Sequence, residues 1–202
     1  MKRTYVLGVI VIAGAVVAAA ASVTAQQPAA GRQGGGGGAG GIKGIEKVAN
    51  NLYSVFGNGG TTAVYIAEKG VVLVDTKLAN NGQAILDQVK SVTDKPITHI
   101  INTHTHGDHN GSNVYFPATV EIVTHENTSQ LMQKMPAFQS AESKHGLPDR
   151  TFKDPLTLLR GNDSIDLYYF GAAHTSGHAL VVDAAQRARA AQSRVRQGRT
   201  PA

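Results

Sequence analysis

Val, Ile, Tyr and Thr crowd the stretch IEKVANNLYSVFGNGGTTAVYIAEKGVVLVDT, which is broken at Asn-Asn, Gly-Asn-Gly-Gly and Glu-Lys-Gly. Short β-branched runs between turn residues predict a meander of four strands, at 45–48, 52–56, 61–67 and 71–75. The period then changes. Ile85, Val89 and Val92 recur at i, i+4 and i+7, which predicts an amphipathic helix capped by Asn80 or Asn81 and stopped by Pro96. ITHIINT, 97–103, is apolar and β-branched, as a buried strand is. Strand, helix and strand together make a crossover unit. VEIVTH, 120–125, predicts another strand and ENTSQLMQKM a helix. The polar segment 136–155 carries three prolines and reads as a surface loop. LTLLRGNDSIDLYYF predicts a hairpin, with strands near 156–159 and 164–170 about a Gly-Asn-Asp turn. The mixture places the fold in the α/β or α+β class.

The two ends follow a different pattern. Lys2 and Arg3 precede an apolar run, Val6 to Ala21, and small residues stand at Val23 and Ala25. Charge, apolar run and small-x-small predict a cleavable signal peptide over 1–25, and so a periplasmic or secreted protein. An uncleaved anchor is the competing reading. The run is shorter than the roughly 20 residues of a bilayer-spanning helix, so no membrane association is expected beyond the leader. Residues 26–43 are glycine-rich and read as a flexible linker. A phosphate cradle would end in Gly-Lys-Ser/Thr, whereas this run ends GGIKGIEKV.

The formal net charge of +5 suggests nucleic acid until it is located. Residues 184–202 carry five Arg and no acid, and the remainder has 14 basic against 14 acidic residues. The body of the chain is neutral. The tail reads as a basic, disordered end without the aromatic interleaving of a nucleic-acid surface, so no nucleic acid is expected as a partner. One domain remains, 44–183. The chain has no cysteine, which excludes a disulfide framework and a thiolate metal site.

Within that domain THTHGDHNGS, 103–112, holds three histidines and an aspartate. His104 and His106 stand two apart in extended chain and project to one side, so both reach one ion. Asp108 and His109 follow a glycine that lets the chain turn. Imidazole and carboxylate without thiolate suit zinc best, then iron or manganese. A zinc site needs three or four protein ligands. His174 in GAAHTSGH follows a strand end, as His104 does, and is the candidate third ligand. Three histidines with an open fourth position make a hydroxide from bound water near neutral pH. Asp108 then either holds a second ion or orients the water and passes its proton. His99, His125 and His145 read as packed or solvated residues. For His178 a structural role and a metal contact both stay open.

THTHGDHNGS resembles the His-x-His-x-Asp-His signature of the metallo-β-lactamase superfamily, with VVLVDTK before it and GAAHTSGH after it. The resemblance implies an αββα sandwich, here its first half and the start of its second. It makes His104, His106 and His174 ligands of a first zinc, and Asp108 and His109 ligands of a second. It makes Asp75 a buried support for the metal loops. On the reading of the residues alone, Asp108 is the candidate catalytic carboxylate. The implied activity is zinc-dependent hydrolysis, with a metal-bound hydroxide attacking an ester, thioester, lactone or β-lactam-type bond of a small molecule. Members continue after the third histidine with a strand ending in Gly-Asp and, later, a last histidine. Here ALVVD leads into the basic tail instead. One complete Zn2+ site and an incomplete second one are therefore expected. The alternative to an active hydrolase is a truncated or frame-shifted, inactive metal-binding remnant. Substrate and oligomeric state have no signature in this chain.

Overall fold

The computed structural model describes residues 41–183. The expected leader, nearly all of the linker and the basic tail lie outside them. Four antiparallel strands open the fold: β1 (Gly44–Ala49), β2 (Leu52–Phe56), β3 (Thr62–Ile66) and β4 (Val71–Val74). Asn51 turns β1 into β2 at φ 61°, a left-handed conformation that asparagine tolerates better than most residues. Helix α1 (Gly82–Lys90) then crosses over to β5 (Ile97–Asn102), which pairs parallel with β4. Strands β6 (Glu121–His125) and β7 (Arg150–Phe152) extend the parallel half. Their order is β1-β2-β3-β4-β5-β6-β7 in one seven-stranded sheet.

Period-2 alternation in the central strands explains the layers. Leu73, Ile100 and Ile122 point to one face, where they pack with Ile85 and Val89 of α1. Their neighbours Val72, Ile101 and Val123 point to the other, against Leu158, Ile165 and Leu167. These last three belong to a second, antiparallel sheet of β8 (Leu156–Leu158), β9 (Ile165–Tyr168) and β10 (Leu180–Asp183), in the order β10-β9-β8. Both faces of β4, β5 and β6 are thus covered, which is why they read as continuous apolar runs. Helix, sheet, sheet is the layering of the described residues.

Two predicted elements differ from expectation. The segment 136–155 is not simply a surface loop. It holds β7 and two buried aromatic residues, Phe138 and Phe152, isolated in a polar context that has no periodicity to reveal them. The helix expected over ENTSQLMQKM ends sooner: α3 spans Glu126–Met132 and closes in tighter turns. No described helix is long and apolar enough to cross a membrane.

Candidate metal centre

The parallel strands β4 and β5 end side by side, and the site grows from their ends. Asp75 follows β4 and Thr103 follows β5. The Thr103 N–H and hydroxyl donate to Asp75 Oδ1 and Oδ2 at 2.8 and 2.7 Å. His109 Nδ1 lies 2.7 Å from the same Oδ2. Because its hydroxyl proton goes to Asp75, Thr103 Oγ1 is left to accept from His104 Nδ1, 2.9 Å away. One carboxylate therefore sets two tautomers: His104 and His109 both carry their proton on Nδ1, which leaves Nε2 free to ligate.

His104 is buried, and its Nε2 has no hydrogen-bond partner. A buried ring nitrogen without a partner is costly, and here it faces two further imidazoles. The ring centroids of His106 and His174 lie 4.9 and 5.1 Å from that of His104. His106 Nδ1 and His174 Nε2 are 3.1 Å apart. One ligand atom from each of the three residues falls within 4.8 Å of the others. Burial, and then the neighbouring histidines, push the His104 pKa down to about 4. Its lone pair is thus available at neutral pH. Three imidazole nitrogens converging on one point, one of them buried and unpaired, fit a divalent cation.

Asp108 and His109 stand beside this cluster on α2 (Gly107–Asn110), a single helical turn. His109 Nε2 lies 3.5 Å from Asp108 Oδ2, and its ring centroid is 4.1 Å from that of His104. The hydrogen bond to Asp75 raises the His109 pKa against the opposing effect of burial. Asp75 itself lies within ligand distance of His104 and His109. Its two oxygens also accept from Thr103 and His109, so it orients the His104 and His109 rings.

The third histidine arrives on a separate loop, and α3 anchors that loop. Asn127 Nδ2 and Tyr169 Oη both donate to the Ser176 carbonyl at 2.8 Å. Thr128 Oγ1 donates to the Gly177 carbonyl at 2.9 Å, and Ala179 N–H donates to the Thr103 carbonyl at 2.9 Å. A Cβ on Gly177 would sit 2.3 Å from Thr128 Oγ1, so only glycine lets the loop lie this close.

A family model described as the metallo-beta-lactamase superfamily matches residues 56–189. The chain belongs to the metallo-beta-lactamase superfamily. The uncharacterized protein YobT of Bacillus subtilis (strain 168) is 31% identical over 118 residues, covering 55% of this chain and 49% of YobT. Among solved structures, a metallo-beta-lactamase from Pontibacter korlensis superposes with a TM-score of 0.54 at 23% identity, covering 69% of this chain and 66% of that one. A class B3 di-zinc metallo-beta-lactamase from an Alaskan soil metagenome gives 0.57 at 20% identity, covering 70% and 57%. At such identities the likeness is one of fold. The chain spans about half the length of YobT and under two thirds of that class B3 enzyme.

Within this metallo-beta-lactamase superfamily chain, the six residues singled out from sequence lie together at the ends of β4 and β5 and on the loop after β9. His99, His125 and His145 stand apart from them. His99 pairs with Glu121 at 3.2 Å, His145 Nε2 bonds the Val114 carbonyl, and His125 stacks on Tyr169. His178 stacks on His104, with centroids 5.1 Å apart, but contributes no atom to either ligand group. Sequence reading missed Thr103, Lys77 and the α3 anchors Asn127 and Thr128. Their residue types are ordinary, and only their neighbours across the fold give them a task.

Proposed function

We propose that this chain is an exported zinc hydrolase that opens an ester, thioester, lactone or β-lactam-type bond of a small molecule. One observation carries the reading: His104, with its buried, unpaired Nε2, brings a ligand atom within 4.8 Å of ligand atoms of His106 and His174, whose Nδ1 and Nε2 are 3.1 Å apart. That donor set suits zinc, which when bound there supplies Lewis acidity and lowers the pKa of water. Asp108 sits at the edge of the cluster with its carboxylate partly exposed, placed to orient a water and to take its proton. His109 and Asp108 begin a second site, and Asp75 holds His109 in the ligating tautomer. One structural neighbour is a di-zinc enzyme, which supports zinc as the metal. Export rests on the charge, apolar and small-residue order of 1–25.

A second reading is metal binding without turnover. It draws on the second cluster, where the described residues supply only Asp108 and His109. Zinc content by mass spectrometry, on wild type and His106→Ala, separates the outcomes when paired with hydrolysis of a chromogenic cephalosporin and a thioester. Zinc retained equally by both proteins sinks the ligand assignment. Zinc bound by wild type alone, with neither substrate cleaved, favours binding without turnover.

A further inference from the structure

A lysine side chain is buried beneath this site. Lys77, two residues past Asp75, is fully buried and has φ 63°. Its Nζ donates to the carbonyls of Val55 and Gly60 at 2.8 and 2.7 Å. Burial lowers its pKa to about 8, which measures how unfavourable the location is for an ammonium group. A buried ammonium group needs hydrogen-bond acceptors to offset its desolvation, and here both acceptors are backbone carbonyls.

What these bonds hold is the turn between β2 and β3, Gly57–Gly60. Gly60 N–H donates to the Asp108 carbonyl at 3.0 Å. A Cβ on Gly60 would lie 2.5 Å from His109 Cε1 and 2.7 Å from Nε2. The backbone of Gly60 therefore forms a wall against the His109 ring, close to the nitrogen left free to ligate. Asn58, the one side chain on the turn, points away and donates to Asn81 Oδ1 at 2.6 Å. Lys77 also accepts Gly111 N–H on its own carbonyl at 2.9 Å, so one residue grips both the turn and the end of α2.

We propose that Lys77 is a positioning residue for the second cluster: it clamps the Gly57–Gly60 turn onto His109 and so fixes where His109 Nε2 points. The reach of this to metal rests on the function proposed above. The clamp itself does not, because it consists of hydrogen bonds among the chain's own groups.

The test uses the full chain and two variants. Lys77→Met keeps the stem and removes both donors. Gly60→Ala leaves the lysine alone and pushes a methyl group into the His109 ring. In metal-free protein, nitrogen NMR of the His109 ring and amide exchange at Gly60 are read. Lys77→Met should speed Gly60 exchange at least tenfold, and both variants should shift the His109 nitrogen resonances. Wild-type exchange and an unmoved His109 signal in Lys77→Met overturn the proposal. If Lys77→Met does not fold, Gly60→Ala decides, and an unmoved His109 signal there overturns it equally.

Cobalt titration then carries the inference to the metal. Both variants should keep the first equivalent and bind the second about 10–100-fold more weakly, the usual effect of losing a group that orients a ligand. Second-site binding at wild-type affinity in both variants overturns the positioning role. A wild type that takes up no cobalt defeats the function proposed above and leaves the metal-free result to judge the clamp.

Discussion

His174 Nε2 lies 3.1 Å from His106 Nδ1, across 68 residues of chain. Two imidazole lone pairs at that separation repel unless a proton or a cation lies between them. The contact joins a segment leaving β5 to a loop leaving β9, so a cation there links the two sheets. Free zinc at a hundred times its Kd should stabilise the fold by about 2.7 kcal/mol, seen as a rise in Tm of several degrees. A chelator should reverse the rise, and His106→Ala should abolish it. An equal zinc-induced rise in His106→Ala counts against the site.

Asp75 accepts from Thr103 and His109 at once, while its own φ is 64°. Asparagine tolerates that backbone, so Asp75→Asn isolates the charge. It should lower stability by about 1–3 kcal/mol, since a buried, charge-assisted pair is broken. Chemical denaturation measures the loss. A second readout is zinc affinity at the His109 side, expected to fall by about 10–100-fold. Unchanged stability and unchanged affinity together contradict the role given to Asp75.

Thr128 is predicted to act on the metal without touching it. Thr128→Val keeps the shape and removes the hydroxyl that donates to Gly177. The Gly177 carbonyl then loses that donor at a cost of about 1 kcal/mol, and the loop bearing His174 loosens. Zinc should dissociate faster from Thr128→Val than from wild type in stopped-flow exchange against a chelator. Equal rates would place the anchor elsewhere.

Stability of the metal-free protein should fall on the acid side. Burial holds His99, His104 and His125 below the ordinary value of 6.5, with His104 at about 4. The unfolded chain therefore takes up protons before the folded one as pH drops below 6.5. Their contribution is complete above that pH and is lost as pH falls, that of His104 by about pH 4. His109, raised by Asp75, works in the opposite direction, gaining stability as pH falls towards 6.5. Thermal melts from pH 7 to 4 should show a falling Tm, with a shallower fall in His104→Gln. A flat profile would contradict the burial of these rings.

Much of the site was legible because its chemistry is local. His104, His106, Asp108 and His109 lie within six residues, and their spacing alone put their side chains near one another. His174 is remote, but it too follows a strand, and its motif carried it. Asn81 was expected as a helix cap. It holds that position, but its side-chain amide bonds the Leu78 and Ala79 carbonyls and accepts from Asn58 instead of capping. Two of those bonds are local, a competition with the cap that asparagine often enters, but the one from Asn58 comes from a turn 23 residues earlier and has no local signal.

The amino-acid sequence by itself determined the family, the one-sided spacing of the first two histidines and most of the strands and helices, though not β7 or β10. Those features depend on periods of two and 3.6 residues and on ligand chemistry, both of which act over a few neighbours. Tertiary structure alone decided that Asp75 sets two histidine tautomers, that α3 carries the His174 loop, and that a buried lysine bonds the turn whose Gly60 backbone lies against His109. Each depends on hydrogen bonds between groups 28 to 49 residues apart, or 17 in the lysine's case. Side chains so separated in sequence meet only once the sheets have packed.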